Sequence, residues 1–364
     1  MPAIRWSLPH MPVGPQSNTL GQTDAFSSDE QQPGRRPRLL VTGASGYLGS
    51  EVCFQAASAY EVYAISHGRP VPESLASWRA RIDLCDSEML TALFRQFKPQ
   101  LVVHCAAMSS PEACEEDPVT SELINVQSTR LLAALCAETG CPLIFTSTDL
   151  VFDGLLGHYD ESAPPRPVNT YGRHKVAAEQ AVRDAGCKGI ICRLPLLFGH
   201  GRLQLSPMEG ILERWASGET VTGFSDEYRS TISYAAAARG LLQLAETVPR
   251  NQNLLLHLGG LQTVSRHDFL LQLAERLRQF CEARADAEVS NRRPVHPTLI
   301  KAATNATDCI QSGLREQARL KAARPADVSL DSRKAREFDL RMPFLDTQLD
   351  AALNCYDEAY HRKQ

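Results

Sequence analysis

The stretch "LLVTGASGYLGSEV", residues 39 to 52, decides the fold. An apolar run ends at Thr42, glycines follow at 43, 46 and 49, and helix-forming residues resume behind them. Such a turn between a strand and a helix has a physical purpose. Gly43 permits the tight turn, Gly46 lets the backbone approach a diphosphate, and Gly49 allows the helix to pack closely. The anion then lies on the helix N-terminus, where free N–H groups and the dipole favour negative charge. The spacing is GxxGxxG rather than GxGxxG, so its weight comes from the strand–turn–helix setting, the alternative being a glycine-rich turn without a ligand.

Outward from this unit the pattern alternates. Strands are expected at "RPRLLVTG", "EVYAIS", "ARIDL", "PQLVVHCAA", "CPLIFTSTDL" and "GIICRLPLLFG". Helices are expected at "GYLGSEVCFQAASAY", "SEMLTALFRQFK", "TSELINVQSTRLLAALCAET" and "NTYGRHKVAAEQAV" between them. Continuous apolar strands alternating with helices imply an α/β fold, a doubly wound parallel sheet covered on both faces. After residue 200 the pattern loosens into helices at 207–217, 234–247, 265–284 and near 345–360, with "NLLLHLGG" as a strand. Residues 37–200 thus read as a dinucleotide-binding domain, and 201–364 as a smaller, discontinuous lobe mainly for substrate. Its segment 286–323 is poorly periodic and basic, which reads as a solvated helix face within an insertion. No internal repeat occurs.

Composition narrows the class. The chain has 364 residues, 43% hydrophobic and 22% charged, with a net charge of -4. That is a globular balance, and it lacks the basic face that phosphate-backbone binding needs, so nucleic acid is not an expected partner. The 11 cysteines are scattered, many inside apolar runs, and no CxxC occurs. They read as free thiols in a reducing, cytoplasmic setting. His67, His174 and His257 have no metal-holding spacing, and no metal site is expected. No apolar run approaches the roughly 18 residues of a membrane span. Residues 1–36, rich in Pro, Gly, Ser and Gln, read as a disordered tail, with a cleaved organelle signal as the alternative.

Two further places carry chemistry. At the end of the second strand, where an NAD site usually places an acid, the chain reads Ser66-His67-Gly68-Arg69. An arginine there can pair with a 2'-phosphate, so NADP(H) is preferred and NAD(H) is the alternative. Arg69 could equally be an exposed loop residue. Asp83-Leu84, ending the third strand, is placed to flank an adenine. Tyr171 and Lys175 are four apart on a helix and therefore share a face. Alone, that is either a chemical pair or a coincidence of neighbours.

Together, TGxxGxxG, "VVHCAA", "TSTDLVFDG" and YxxxK resemble the extended short-chain dehydrogenase/reductases, which have a Rossmann-type sheet. Within them, "STDLVFDG", "YDESAPPRPVNTYGRHKVAAE", "CRLPLLFG", "HLGG" and "RPADVSLDSRKA" are most similar to the dTDP-4-dehydrorhamnose reductase branch, which also includes the regulatory beta subunit of methionine adenosyltransferase. The resemblance spans residues 38 to 360, is strongest over the first 200, and fades over 200–322. It implies that Tyr171 protonates a ketone oxygen, and that Lys175 holds the nicotinamide ribose and lowers the tyrosine pKa. Thr148 takes the place of the Ser/Thr beside the substrate oxygen, followed by Asp149. Asn125 sits where the family supports the lysine, and Arg193 and Pro195 match the segment that closes over the nicotinamide. Implied cofactor contacts are Gly43, Ser45, Gly46, Tyr47, Leu48 and Gly49 in the turn, Arg69, Asp83 and Leu84, then Cys105, Ala106 and Ala107, and Ser147. Ala235-Ala236-Ala237 stands where relatives often carry an acid. His104 is expected at the cofactor or in the core rather than as a base.

An unperturbed tyrosine titrates near 10, so reversible proton transfer at neutral pH needs a shift of roughly three units, about 4 kcal/mol. Burial pushes the wrong way, so the expectation is that the cations win, the lysine ammonium together with the positive charge of oxidised nicotinamide. The first function class is an NADP-dependent reductase of a deoxy sugar nucleotide's 4-keto group. The second is a cofactor-binding regulatory subunit whose partner is a methionine adenosyltransferase catalytic subunit. A sugar-nucleotide epimerase or dehydratase is third, because Asp149 has no adjacent Glu. A homo-oligomer is the default expectation.

Overall fold

The computed structural model describes residues 35–248, 252–285 and 293–362. Nearly all of the expected tail, and residues 286–292 of the expected insertion, lie outside the described residues. A seven-stranded, wholly parallel sheet is formed by β1 (Arg38–Thr42), β2 (Glu61–Ser66), β3 (Trp78–Arg81), β4 (Leu101–His104), β5 (Leu143–Thr148), β6 (Gly189–Leu194) and β7 (Asn253–His257). Their order is β7-β6-β5-β4-β1-β2-β3. Chain direction across the sheet reverses between β1 and β4, which opens a crevice beyond their carboxyl ends.

The described helices are α1 (Tyr47–Ala56), α2 (Ser87–Phe97), α3 (Pro111–Glu116), α4 (Pro118–Glu122), α5 (Ser128–Thr139), α6 (Thr170–Asp184), α7 (Pro207–Ala216), α8 (Tyr234–Thr247), α9 (Arg266–Glu282), α10 (Pro297–Asn305) and α11 (Leu345–His361). Strand side chains alternate between two cores, as the period of two requires. Leu39, Val41, Val103 and Ile144 meet α1 and α8 on one face. On the other, Leu40, Val102 and Phe145 meet Leu93 and Phe94 of α2, Leu132 of α5 and Val182 of α6. A third cluster, around Trp215, Leu273, Leu299 and Leu349, joins α7, α9, α10 and α11.

Three expectations need correction. The third strand covers Trp78–Arg81 rather than 80–84, because Tyr63 to Ser66 of β2 pair with 78 to 81. Asp83 is then released into a turn, where it accepts the Cys85 N–H. The helix expected over 120–139 is divided: α4 passes through a π-helical turn at Leu123–Gln127 before α5, and α3 precedes both. The basic segment is more than a solvated helix face. Leu299 and Ala302 bury α10, residues Ile310–Gly313 pair with Val221–Phe224, and Arg315, Lys321 and Arg324 ion-pair with Asp226, Glu116 and Glu112. Lys301, Arg319 and Lys321 nevertheless stay exposed, so the segment is docked on one side and solvated on the other.

His104 is a core residue. It lies between Thr42 on β1 and Thr129 on α5, at 2.6 and 3.0 Å. Burial, then the Lys175 charge, pushes it down to about 3. Buried His257 is pushed down to about 4 by burial and Arg193. The unfolded chain therefore takes up protons below pH 6.5 that the folded chain refuses. Stability should fall from pH 6.5 toward 4, by about 1.4 kcal/mol per pH unit for each histidine. Urea unfolding at pH 7 and 5 checks this: the midpoint drops in the wild type and much less in a His104→Gln/His257→Gln chain. Equal wild-type midpoints would exclude it.

Candidate active site

A cleft of about 960 Å³ runs across the carboxyl ends of the strands. At one end lies the glycine turn. Gly43 has φ +65, and a Cβ there would meet Ala106 backbone atoms at 2.7 Å. A Cβ on Gly49 would stand 2.2 Å from the Gly43 carbonyl oxygen. The turn thus fits only with glycine at both places. α1 begins at Gly46 without a side-chain cap and without an acid in its first turn. Its N-terminus therefore faces the cleft with donors suited to an anion, and the cradle fits a dinucleotide's diphosphate.

Ser45, Tyr47 and Leu48 share this end, Asp83 and Leu84 line it beyond β3, and Cys105, Ala106 and Ala107 form the floor. Arg69 does not line the cleft; its guanidinium donates to Gln204, which does. Tyr47 stacks on Tyr234 at 5.3 Å and donates to the Leu205 carbonyl, so residues near 204–207 form the opposite rim.

At the other end β5 and α6 bring Ser147, Thr148, Asp149, Tyr171 and Lys175 together. Asn169 caps α6 by accepting the Gly172 N–H, which fixes where Tyr171 starts the first turn. Thr148 donates to Asp149 Oδ1 at 3.2 Å and accepts the Leu150 N–H at the same distance. Lys175 Nζ donates to the Thr146 carbonyl at 2.6 Å and lies 4.4 Å over the Phe145 ring.

The protein's own groups hold the tyrosine high. Tyr171 is raised above its ordinary value, first by burial, then by Asp149 and Cys114, against a single lowering contact from Thr148. Lys175 is not among the groups that lower it. Burial takes its own pKa down to about 8, and its ammonium is turned to β5 rather than to the phenol. In this state Tyr171 is a proton holder. Asp149 is itself raised by burial, with Arg229 and Thr148 opposing.

Two further expectations are corrected. Arg193 is 1% exposed and does not close over the cleft. It donates from Nε and Nη2 to Glu179 at 2.9 and 2.8 Å, and Ser147 donates to the same carboxylate. Pro195, two residues on, does line the cleft. Asn125 supports the backbone of Met108 through both amide atoms, not Lys175. The π-helical turn places it there. Sequence reading missed Glu227, Arg229 and Arg324, which line the substrate end. The only signals were isolated charges in "SDEYRST" and "RPADVSLD". Among the described residues no His, Cys, Asp or Glu group could hold a metal ion.

Residues 37–357 match the family model described as RmlD substrate binding domain. The chain belongs to this family. It is 34% identical over 180 residues to methionine adenosyltransferase 2 subunit beta of Xenopus tropicalis, covering 49% of this chain and 52% of that protein. The chain thus spans about half the length of such curated relatives. A probable low-salt glycan biosynthesis reductase of Haloferax volcanii is 30% identical over 241 residues, 65% of this chain and 79% of the relative. Among solved structures, dTDP-4-dehydrorhamnose reductase of Bacillus anthracis, in complex with NADP, superposes with a TM-score of 0.68 at 21% identity, covering 87% of this chain and 98% of that one. A hypothetical dTDP-4-dehydrorhamnose reductase of Sulfolobus tokodaii gives 0.65 at 25% identity, covering 84% and 96%.

Glu179 is lowered despite burial, because the Arg193 hydrogen bonds and charge, Ser147 and Arg183 outweigh it. Breaking a buried pair from one side leaves an uncompensated charge, so Arg193→Met should cost about 3–5 kcal/mol. Urea titration reads this as a lower midpoint. A change within error would show that Glu179 needs no partner.

Proposed function

We propose that the protein is an NADP-dependent reductase of the keto group of a deoxy sugar nucleotide, a 4-keto sugar of the dTDP-4-dehydrorhamnose type. One observation carries the reading. A glycine cradle fitted to a dinucleotide and a Tyr171–Thr148–Asp149–Lys175 group occupy opposite ends of one cleft. The NADP complex of the Bacillus anthracis reductase supports the cofactor, as does the absence of a carboxylate along Ser66-His67-Gly68-Arg69.

The nicotinamide, when bound, supplies hydride. The chain's residues do the rest. Tyr171, kept protonated by burial and Asp149, presents its hydroxyl proton for a carbonyl oxygen that is becoming an alkoxide. Thr148, beside Tyr171, orients that oxygen. Lys175 exchanges its Thr146 contact for ribose hydroxyls. Glu227, Arg229 and Arg324 extend the substrate end from residues 201–364, the part proposed as the substrate lobe. No helix among the described residues is long and apolar enough to cross a membrane. The free cysteines support a cytoplasmic setting.

A second reading, a regulatory subunit of a methionine adenosyltransferase, is favoured by the 34% identity to such a subunit. A pull-down against the catalytic subunit, run beside turnover assays, separates the two.

NADPH oxidation across keto-sugar nucleotides tests the first reading. Tyr171→Phe should lower turnover by roughly 10²–10⁴-fold while NADPH still raises the thermal midpoint. Gly49→Ala, whose Cβ would collide with Gly43, should lose that thermal shift. Absence of turnover by the wild type with every keto-sugar nucleotide would exclude the reductase.

A further inference from the structure

The substrate end holds a chain of charges that the proposed chemistry does not explain. Arg229 donates from Nη1 to Asp149 Oδ2 and from Nη2 to Glu227 Oε1, each at 3.0 Å. All three are nearly inaccessible: 4% for Arg229, 2% for both acids. The chain continues past Glu227 with alternating sign. Arg324 Nη1 lies 3.9 Å from Glu227, and its Nη2 lies 3.8 Å from Glu112 on α3. Arg266, opening α9 and half-buried, stands near Glu227. On the other side Asp149 accepts the Thr148 hydroxyl, and Thr148 contacts Tyr171.

We infer that Arg229 is a positioning residue, which acts through Asp149 to set the direction of the Thr148 hydroxyl beside Tyr171. Two geometric facts support this. A guanidinium bridging two carboxylates fixes both, because its fork is planar and rigid. A threonine has one proton, so while a charged Asp149 accepts it Thr148 offers only lone pairs, and donation to a substrate oxygen requires that contact to open. Loss of the guanidinium would bind a proton to Asp149, and the acid would then donate to Thr148 instead of accepting from it. The proton comes from solvent, and no other bond changes.

The groups acting on Asp149 are all named above. Burial raises it, Arg229 and Thr148 lower it, and Glu227 raises it. The two neighbours should therefore pull in opposite senses. This inference rests on the reductase reading for its consequence but not for its test.

The test uses the full chain with carbon-13 in its aspartate carboxyls, the Asp149 signal being assigned by its loss in Asp149→Asn. Arg229→Gln should raise the Asp149 midpoint by roughly one pH unit or more. Arg229→Lys, which keeps the charge, should give less than half that shift. Glu227→Gln should lower the midpoint, and it decides the matter if Arg229→Gln fails to fold. In reduction assays the acid breakpoint of kcat/KM should move with the carboxyl midpoint. A structural arginine would lower the rate and leave the breakpoint still. An unmoved Asp149 midpoint in the variants that fold, or shifts of one sign from both neighbours, overturns the proposal. Lack of turnover by the wild type would instead fell the reductase reading, with the carboxyl titration still deciding the role of Arg229.

Discussion

The close approach of the β1–α1 turn to the end of β4 is the constraint on which the rest depends. A Cβ at Gly43 would come within 2.7 Å of Ala106, and one at Gly49 within 2.2 Å of the Gly43 carbonyl oxygen. Neither neighbour is a flexible side-chain tip; both are backbone, so the turn has one shape. That shape aims the uncapped N-terminus of α1 into the crevice and lays α1 against α8. The cofactor end of the cleft is thus built from backbone, where side-chain entropy is not at issue.

The substrate end is built oppositely, from charges buried at Asp149, Arg229 and Glu227 and half-buried at Arg324 and Glu112. Asp149, Arg229, Glu227, Arg324 and Glu112 alternate in sign, and Arg266 stands behind them. A lone charge in such a place would neutralise rather than stay ionised. Alternation lets each be paired from at least one side, yet Glu227 Oε2, Arg229 Nε and Arg324 Nε are left without protein partners. Such a wall is unlike a hydrophobic pocket: it suits a ligand rich in hydroxyls, because hydroxyls can both give and accept.

Much of this was legible in the sequence, and the failures share a cause. Periodicity located β1, β2, β4, β5, β6 and β7, because continuous apolar runs leave few alternatives in a parallel sheet. The glycine spacing located the cradle. Partner choice was not legible. Arg193 follows a strand and precedes Pro195, as a residue closing over a cofactor would, yet its contacts are with Glu179 on α6, fourteen positions earlier. Asn125 depended on a π-helical turn that no residue spacing announces. Arg229 and Asp149 are 80 residues apart, and only the fold joins them. The local balance at Tyr171 was not legible for the same reason. Helical spacing put Lys175 near Tyr171, but said nothing of the Thr146 carbonyl that accepts its hydrogen bond.

The face that carries Tyr171 and Lys175 continues one turn further, to Glu179, and this third residue explains why the first two stand where they do. Three consecutive residues of β5 answer that face. Thr146 accepts from Lys175, Ser147 donates to Glu179, and Thr148 contacts Tyr171. Arg193 from β6 clamps Glu179 from the side. Four contacts hold one helix against two strands along about two turns, and a slide of α6 by one residue would break all of them together. Arg193, which lines no part of the cleft, therefore helps to fix where Tyr171 stands. Its charge is buried to hold α6 in register, and Tyr171 is the residue at the end of that register.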